Sequence, residues 1–420
     1  MRTLILAAAS SLALAACGMQ GQDSDTDSDT DTATSVSSGT DYGYETYGED
    51  NFADSMASND DRYLNEVDSE AASAGTQPAD IPDSQDRPIM QAQVVLDRIG
   101  FGPGVIDGKM GMSTENALRG FQEANDLAVT GKLDEATKEA LADWERIPAT
   151  RVVTIPPSWS DANYTDMPED VEEKAKLERL GYKSLDERLA ERFHTTVEVL
   201  KQLNPGGKPA GLTQGSETPT PTTTPTPTPS ASGTANTSGT SSYFTAGQQI
   251  RVPNIGGDRI APGSVEDTSW QQTLASLGVG SDQPEVDRIV VSKAGKTLKA
   301  YQGDKLVALF TVSSGSSEFP LPLGEWDIVG EAYNPPYSYD PEVLSGGKED
   351  GKEYTLPPGP NSPVGVVWID LSKEHYGIHG TPDPETIGRA QSSGCVRLTN
   401  WDAARLAGMV SQSTQVIFEA

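Results

Sequence analysis

The sequence has few of the residues that build disulfide frameworks or zinc sites. Among its 420 residues only three are His and two are Cys, so a disulfide-dense fold is excluded. No Asp or Glu falls at a recognisable ligand spacing around the His residues, which disfavours a zinc peptidase and predicts a protein without metal or other cofactor. Basic residues are also scarce, since 31 Lys and Arg face 62 Asp and Glu, giving a formal net charge of -31. This acidity argues against nucleic acid as a partner.

An apolar run at the N-terminus, from Leu4 to Ala16, is too short for the roughly 20 residues that a membrane-spanning helix needs. It follows a basic residue and ends in Leu-Ala-Ala-Cys, an order typical of an export signal. Segment 1–17 resembles a bacterial lipoprotein signal peptide, which implies lipidation of Cys17; the alternative is a plain cleaved signal. Gly18 is compatible with transfer to the outer membrane. We therefore expect an exported, periplasmic protein with a lipid anchor in the outer or inner membrane.

Residues 18–86 are rich in Asp, Ser, Thr and Gly and poor in apolar side chains. Such a composition cannot bury enough surface to fold, so this segment is predicted to be a disordered tether. It either lets an anchored protein reach across a gap or only adds solubility. The shift in composition after it, together with the length of the chain, predicts a multidomain protein.

Residues 87–147 carry three short helical patterns, the second of them capped by Ser113 or Thr114 and the third starting near Asp134. The turn and core residues between and within these helices are Asp107, Gly108, Gly111, Thr114, Ala117, Phe121 and Gln122. In this pattern the segment resembles a peptidoglycan-binding domain 1 module, a small three-helix fold. The resemblance implies peptidoglycan as a partner.

Residues 165–256 carry a second helix pair followed by a strand, AGQQIRVPNI. Thr195 or Thr196 caps the second helix, and His194 is interpreted as a turn residue between the two. The segment resembles a LysM module, a βααβ glycan-binding fold, although the family's opening strand is not evident before Ser184. A Thr/Pro-rich stretch at about 212–242 is either an insertion loop of this module or a spacer between domains.

From about residue 284 the chain becomes rich in strand patterns, including a hairpin with QGD at its turn, and it closes with a helix from Asn400 to Met409 and a final strand. Thr399 or Asn400 is expected to cap that helix. Five blocks follow one another in order: GKTLKAYQGDKLVALFTVSSG, PLGEWDI, GPNSPVGVVWIDL, YGIHGT and SSGCVRLTNWDAARLA. Residues 284–420 thereby resemble the L,D-transpeptidase catalytic domain, which implies the β-rich YkuD fold.

Cys395 is the only cysteine that remains if Cys17 is lipidated, which excludes a disulfide within the chain and favours a reactive thiol over a buried structural one. His379 ends the apolar strand YGIH, 16 residues before Cys395, where a rigid strand can hold its ring beside a cleft. The resemblance implies that Cys395 is the nucleophile and that His379 donates and accepts protons.

The residues before the thiol are Ser392, Ser393 and Gly394. Ser393 replaces the His that commonly stands two residues before the Cys in this family, so the site works with one nearby imidazole. Ser392 and Ser393 are expected to support the loop. Gly394 leaves room for substrate, and its amide and that of Cys395 are candidates for an oxyanion hole.

Arg397 either binds a substrate carboxylate or pairs with an acid of the protein. Gly380, Tyr376 and Trp368 are further candidates for substrate contact, the two aromatics as wall or core of the cleft. His375 is predicted to be a strand-edge residue that lies well away from His379.

The resemblance implies acyl transfer on a peptidoglycan stem tetrapeptide through a thioester on Cys395. A second stem as acceptor gives a 3,3 crosslink, water gives an L,D-carboxypeptidase, and an outer-membrane protein gives attachment of that protein to the wall. A catalytically silent, peptidoglycan-binding scaffold is the alternative outside enzymology.

Overall fold

The computed structural model describes the chain from Pro82 onward, with internal gaps. The described ranges are 82–142, 146–160, 162–211, 242–256, 259–345, 351–390 and 394–420. The predicted signal peptide with Cys17, nearly all of the predicted tether and nearly all of the Thr/Pro-rich stretch lie outside these ranges. Within them, no helix is both long and apolar enough to cross a membrane.

The first helical module contains the three helices that the sequence predicts. They are α1 (Pro88–Arg98), α2 (Met112–Ala124) and α3 (Glu135–Ala140), with the short strand β1 (Phe101–Gly102) after α1. Proline is favourable in the first turn of α1, where its missing N–H would have no partner. The Asp134 carboxylate accepts a hydrogen bond from the Thr137 amide and so caps α3.

The start of α2 differs from the expectation. Gly111 occupies the N-cap position without a side-chain bond, so neither Ser113 nor Thr114 caps the helix. The Thr114 hydroxyl instead accepts a hydrogen bond from the buried Gln93 amide at 3.0 Å. Thr114 therefore ties α1 to α2, which is a tertiary role that its position near a helix start does not predict.

The second helical region has its strands and α-helices in the order βαααβ, one helix more than the predicted βααβ. Its elements are β2 (Thr150–Thr154), α4 (Val171–Lys174), α5 (Leu185–Arg192), α6 (Val197–Leu203) and β3 (Gln249–Pro253). Strands β2 and β3 pair antiparallel, and the Thr196 hydroxyl caps α6. The sequence analysis did not find β2, because its middle residues are half-buried and show no alternation. Membership of the LysM family stays a prediction.

The C-terminal region is β-rich, as expected. Its elements are α7 (Thr268–Leu277), β4 (Arg288–Ser292), β5 (Thr297–Gln302), β6 (Lys305–Thr311), β7 (Ser313–Ser314), β8 (Gly324–Tyr333), β9 (Tyr337–Tyr339), α8 (Pro341–Ser345), β10 (Tyr354–Leu356), β11 (Val367–Leu371), β12 (Gly377–His379), β13 (Val396–Arg397), α9 (Asn400–Ala407) and β14 (Gln415–Glu419).

Among the described residues, one sheet of ten strands has the order β1-β6-β5-β4-β14-β8-β11-β12-β13-β7, and β9 pairs with β10 separately. The predicted hairpin is β5 and β6, which pair antiparallel. Helix α9 lies against the sheet with Trp401 fully buried, and the Thr399 hydroxyl caps it. Asn400 is buried as well and does not serve as the cap.

The helical modules are joined to the ten-stranded sheet by a strand pairing and by buried polar contacts. Strand β1 pairs with the edge strand β6 in parallel, with Phe101 opposite Leu309. Behind it, the buried Asp97 of α1 accepts from the Arg405 guanidinium at 3.0 Å and contacts the His194 ring at 3.1 Å. Although burial opposes its ionisation, Arg405 and His194 together hold the pKa of Asp97 well below its usual range. A buried cluster of Asp97, Arg405 and His194 thus joins α1, the α5–α6 turn and α9.

Candidate active site

Strands β12 and β13 bring the predicted nucleophile and base together. They pair in parallel, with His379 opposite Arg397. Continuing this register back by two residues places Cys395 beside Gly377. Arg397 pairs with His379 and shares its face of the sheet, and Cys395 directly precedes β13. The pairing of two short strands therefore places the thiol and the imidazole on neighbouring segments of the chain.

The His379 ring is buried, with 6% of the residue exposed, and it is held on two sides. Its Nδ1 lies 2.7 Å from the Gly380 carbonyl oxygen, which can only accept, so Nδ1 carries the proton and Nε2 the lone pair. The ring stacks on Trp368 of β11, with centroids 5.4 Å apart. Burial lowers the pKa of His379 to about 4, and the Arg397 charge acts in the same direction. The imidazole is neutral at pH 7 and can accept a proton.

Cys395 is half-buried, and its thiol donates to the His375 carbonyl at 3.7 Å. Burial raises the pKa of this thiol, whereas the Gly377 amide and the Arg397 guanidinium lower it. The overall shift is upward, so the resting site pairs a neutral thiol with a neutral imidazole. For the thiol of such a pair to attack a carbonyl, the imidazole would have to take its proton.

Gly394 has a conformation and an environment that exclude a side chain. Its φ is +105°, and a Cβ there would lie 2.6 Å from the Tyr376 ring. The Tyr376 ring thus covers the backbone directly before the thiol. This close approach orients the amide of Cys395 and supports the expectation that glycine is required at this position.

Arg397 acts electrostatically on both reacting groups. Burial lowers its pKa, while the Cys395 thiolate and Asp383 favour its charged form. Asp383 lies in the loop after β12 and was not singled out from the sequence. The guanidinium stays charged because its usual pKa is far above neutrality. It is placed to stabilise a thiolate as it forms.

Tyr337 of β9 is a second residue that sequence reasoning missed. Burial raises its pKa to about 12, and the Cys395 thiolate contributes to that shift. The β9–β10 hairpin therefore lies near the thiol and supplies part of the wall of the site. The sequence NPPYSYD reads as a turn between strands, and nothing local to it indicates a partner 58 residues away.

Residues 286–418 match a family described as the L,D-transpeptidase catalytic domain, YkuD. The chain is 32% identical over 164 residues to an L,D-transpeptidase YkuD of Bacillus licheniformis, an alignment that covers 39% of this chain and 79% of the relative. This chain belongs to the YkuD family of L,D-transpeptidases. The YkuD protein of Bacillus subtilis is 34% identical over 128 residues, covering 30% of this chain and 63% of the relative.

Residues 85–141 of this L,D-transpeptidase match a peptidoglycan-binding domain family, which confirms the predicted helical module. Among solved structures, an L,D-transpeptidase from Mycobacterium smegmatis is 22% identical with a TM-score of 0.27, covering 32% of this chain and 59% of that one. The catalytic domain of the E. faecium L,D-transpeptidase is 21% identical with a TM-score of 0.25, covering 33% of this chain and 99% of that one.

The structure of this L,D-transpeptidase groups most of the predicted site residues. Trp368 stacks on the His379 ring, Tyr376 lies against Gly394, and the Gly380 carbonyl accepts from His379 Nδ1. Ser392 and Ser393 lie outside the described residues. The prediction for His375 was wrong, since it lies in a turn with φ +65° and its carbonyl contacts the thiol. No group of three or more His, Cys, Asp or Glu side chains in the described ranges is arranged to hold a metal ion.

Proposed function

We propose that Cys395 is the nucleophile and His379 the proton acceptor and donor in acyl transfer on peptidoglycan stem peptides. The observation that carries this proposal is the His379 ring. Its Nδ1 is fixed by the Gly380 carbonyl, its Nε2 carries the lone pair, and its strand pairs with the strand that begins directly after the thiol. Membership of the L,D-transpeptidase family and the peptidoglycan-binding module support the substrate.

In the first half-reaction the Cys395 sulfur attacks the carbonyl of the diamino acid at stem position three, and the thiol proton passes to His379 Nε2. The amides of Gly394 and Cys395 are the donors for the oxyanion of the tetrahedral intermediate. Collapse breaks the amide bond, and the imidazolium returns its proton to the leaving D-alanine amine. Because the pKa of His379 is lowered to about 4, its protonated form is a strong acid toward that amine.

In the second half-reaction an acceptor attacks the thioester and gives its proton to His379. When the acceptor is the side-chain amine of a second stem, the new amide is a 3,3 crosslink. Cys395 then leaves as a thiolate, stabilised by Arg397, and is reprotonated by His379. Water or a protein amine would use the same steps, and we propose the second stem as the acceptor.

Mass spectrometry of products from purified tetrapeptide muropeptides tests this proposal, with Cys395→Ala as the blank. Dimers that the variant does not form support transpeptidation. Tripeptides without dimers would identify an L,D-carboxypeptidase. Unchanged muropeptides, together with sedimentation of the protein with sacculi, would identify a catalytically silent wall-binding scaffold.

We also propose export to the periplasm and lipid anchoring at Cys17 in the outer membrane, which the N-terminal sequence supports. Membrane fractionation of the wild type and of Cys17→Ser tests this. The wild type should partition with outer membranes and carry the mass of the lipid, and the variant should do neither. Recovery of both proteins in the soluble periplasmic fraction would contradict the anchor.

A further inference from the structure

We propose that Glu191, on helix α5 outside the catalytic domain, is a positioning residue for His379 and acts through Asn400. The proposal rests on the role of His379 as the base. Neither Glu191 nor Asn400 touches the thiol or the imidazole. Their effect would be to fix the Gly380 backbone, which in turn fixes the imidazole.

The Asn400 side chain packs against Gly380, whose carbonyl bonds the His379 ring. Its side chain is fully buried between Gly365 and Gly380, and a Cβ on either glycine would collide with Asn400 Oδ1. Gly380 also lies against the Asn400 backbone, since a Cβ added to Gly380 would be 3.4 Å from the Asn400 Cα. The Gly380 carbonyl is the group that accepts from His379 Nδ1 at 2.7 Å. The Asn400 amide therefore packs directly behind the peptide that sets the tautomer of the base.

Glu191 determines how the Asn400 amide is oriented. Asn400 Nδ2 donates to Glu191 Oε1 at 2.7 Å and to the Pro360 carbonyl at 3.1 Å. Both partners are acceptors, so Nδ2 must face them and Oδ1 must face the two glycines. The Glu191 residue is buried, with 9% exposed, and its carboxyl also accepts from the Tyr182 hydroxyl. Tyr182 in turn contacts the Ser276 hydroxyl at 3.3 Å.

Loss of the Glu191 oxygen would leave Asn400 with a single acceptor at the junction of two modules. The amide could then turn, and the Gly365 and Gly380 peptides that close on it would lose their fixed spacing. A displaced Gly380 carbonyl would hold Nδ1 less firmly, so the proton would distribute between Nδ1 and Nε2. A ring protonated at Nε2 cannot accept the thiol proton, which couples a helix of the second module to the reactivity of Cys395.

The test compares Glu191→Met, which keeps volume but removes the acceptor, with Glu191→Gln, which keeps an acceptor oxygen. Glu187→Met is the matched control, since Glu187 lies one turn earlier on α5, is 29% exposed and contacts Asn361 rather than Asn400. The full-length protein is labelled with nitrogen-15 histidine, and NMR reports the tautomer of each of the three His residues. The rate at which a carbapenem acylates Cys395 is measured alongside.

We expect Glu191→Met to mix the His379 tautomers and slow acylation about tenfold, as small misplacement of a catalytic group does. Glu191→Gln should restore both readouts, and Glu187→Met should change neither. Asn400→Ala should reproduce the effect of Glu191→Met, and it decides the question if Glu191→Met does not fold. Folded Glu191→Met and Asn400→Ala with a wild-type His379 tautomer would overturn the proposal, as would an equal change in Glu187→Met. A wild-type His379 without a proton on Nδ1 would instead contradict its assignment as the base.

Discussion

Acidification to about pH 5.5 should leave the rate of Cys395 acylation by a carbapenem nearly unchanged. The strained lactam of a carbapenem carries a carbonyl that the thiol can attack, so its acylation reports the first half-reaction alone. The proposed base for that step is neutral His379, and burial lowers its pKa to about 4. Protonation, which removes the base, therefore begins only well below pH 5.5. The rate should fall as the pH drops through about 4.

The size of the effect follows from the protonation of the ring. A His with its usual pKa of about 6.5 would be only about one-tenth neutral near pH 5.5, whereas His379 stays almost wholly neutral there. The two cases differ about tenfold in acylation rate at that pH. The thiol does not mask this difference, because burial raises the pKa of Cys395 and its thiolate is scarce throughout the range.

Intact-protein mass spectrometry at low carbapenem concentration gives the rate, with Cys395→Ala as the blank. Circular dichroism must accompany it, since a buried neutral His makes the folded state lose stability as the pH falls from about 6.5 toward 4. A rate that halves near pH 6.5 in folded protein would refute the buried, neutral imidazole as the base.

His379→Ala should slow the same acylation about a hundredfold or more while the protein stays folded, and an unchanged rate would remove its role as the base. Asp97→Asn should lower the free energy of unfolding by about 3 kcal/mol, because it breaks a fully buried ion pair. In the same denaturation assay Lys138→Gln, at an exposed pair, should change little, and equal effects would contradict the importance of burial. Gly394→Ala should abolish detectable acylation, because a Cβ would lie 2.6 Å from the Tyr376 ring at a φ of +105°. A normal rate in that variant would contradict the packing before the thiol.

The thiol and the imidazole are predictable from sequence because their signals are local. Each lies on or beside a short apolar strand, and a single strand pairing brings them together. The helices of the first module are predictable for the same reason, since their apolar faces repeat within a few residues, although the expected cap of α2 was wrong. Prediction from the sequence fails where the residue that a side chain contacts lies far away along the chain. Asn400 is the first residue of α9 and was one of two expected caps; the other, Thr399, is the cap, and nothing in the sequence indicates that the Asn400 amide bonds Glu191, 209 residues earlier.

His194 shows the same limit of prediction from sequence, although here the local prediction is correct. Its prediction as a turn residue agrees with its φ of +52° between α5 and α6. The turn does not indicate where the ring goes. The ring is fully buried and stacks on Trp401 at 4.8 Å between centroids. Its Nε2 donates to the Leu277 carbonyl at 2.9 Å, and its Nδ1 lies 3.1 Å from an Asp97 oxygen. Such a contact depends on how three modules dock, and no periodicity in one of them encodes it.

This docking limits how the enzyme reaches its substrate. Strand β1 is hydrogen-bonded into the catalytic sheet, Asp97 pairs with Arg405, and Glu191 pairs with Asn400. Sliding one module over another would separate these buried polar groups from their partners, which is costly in a protein interior. A glycan strand held by the peptidoglycan-binding module would therefore lie at a fixed distance from Cys395. Stems at other distances can be reached only if the wall polymer bends.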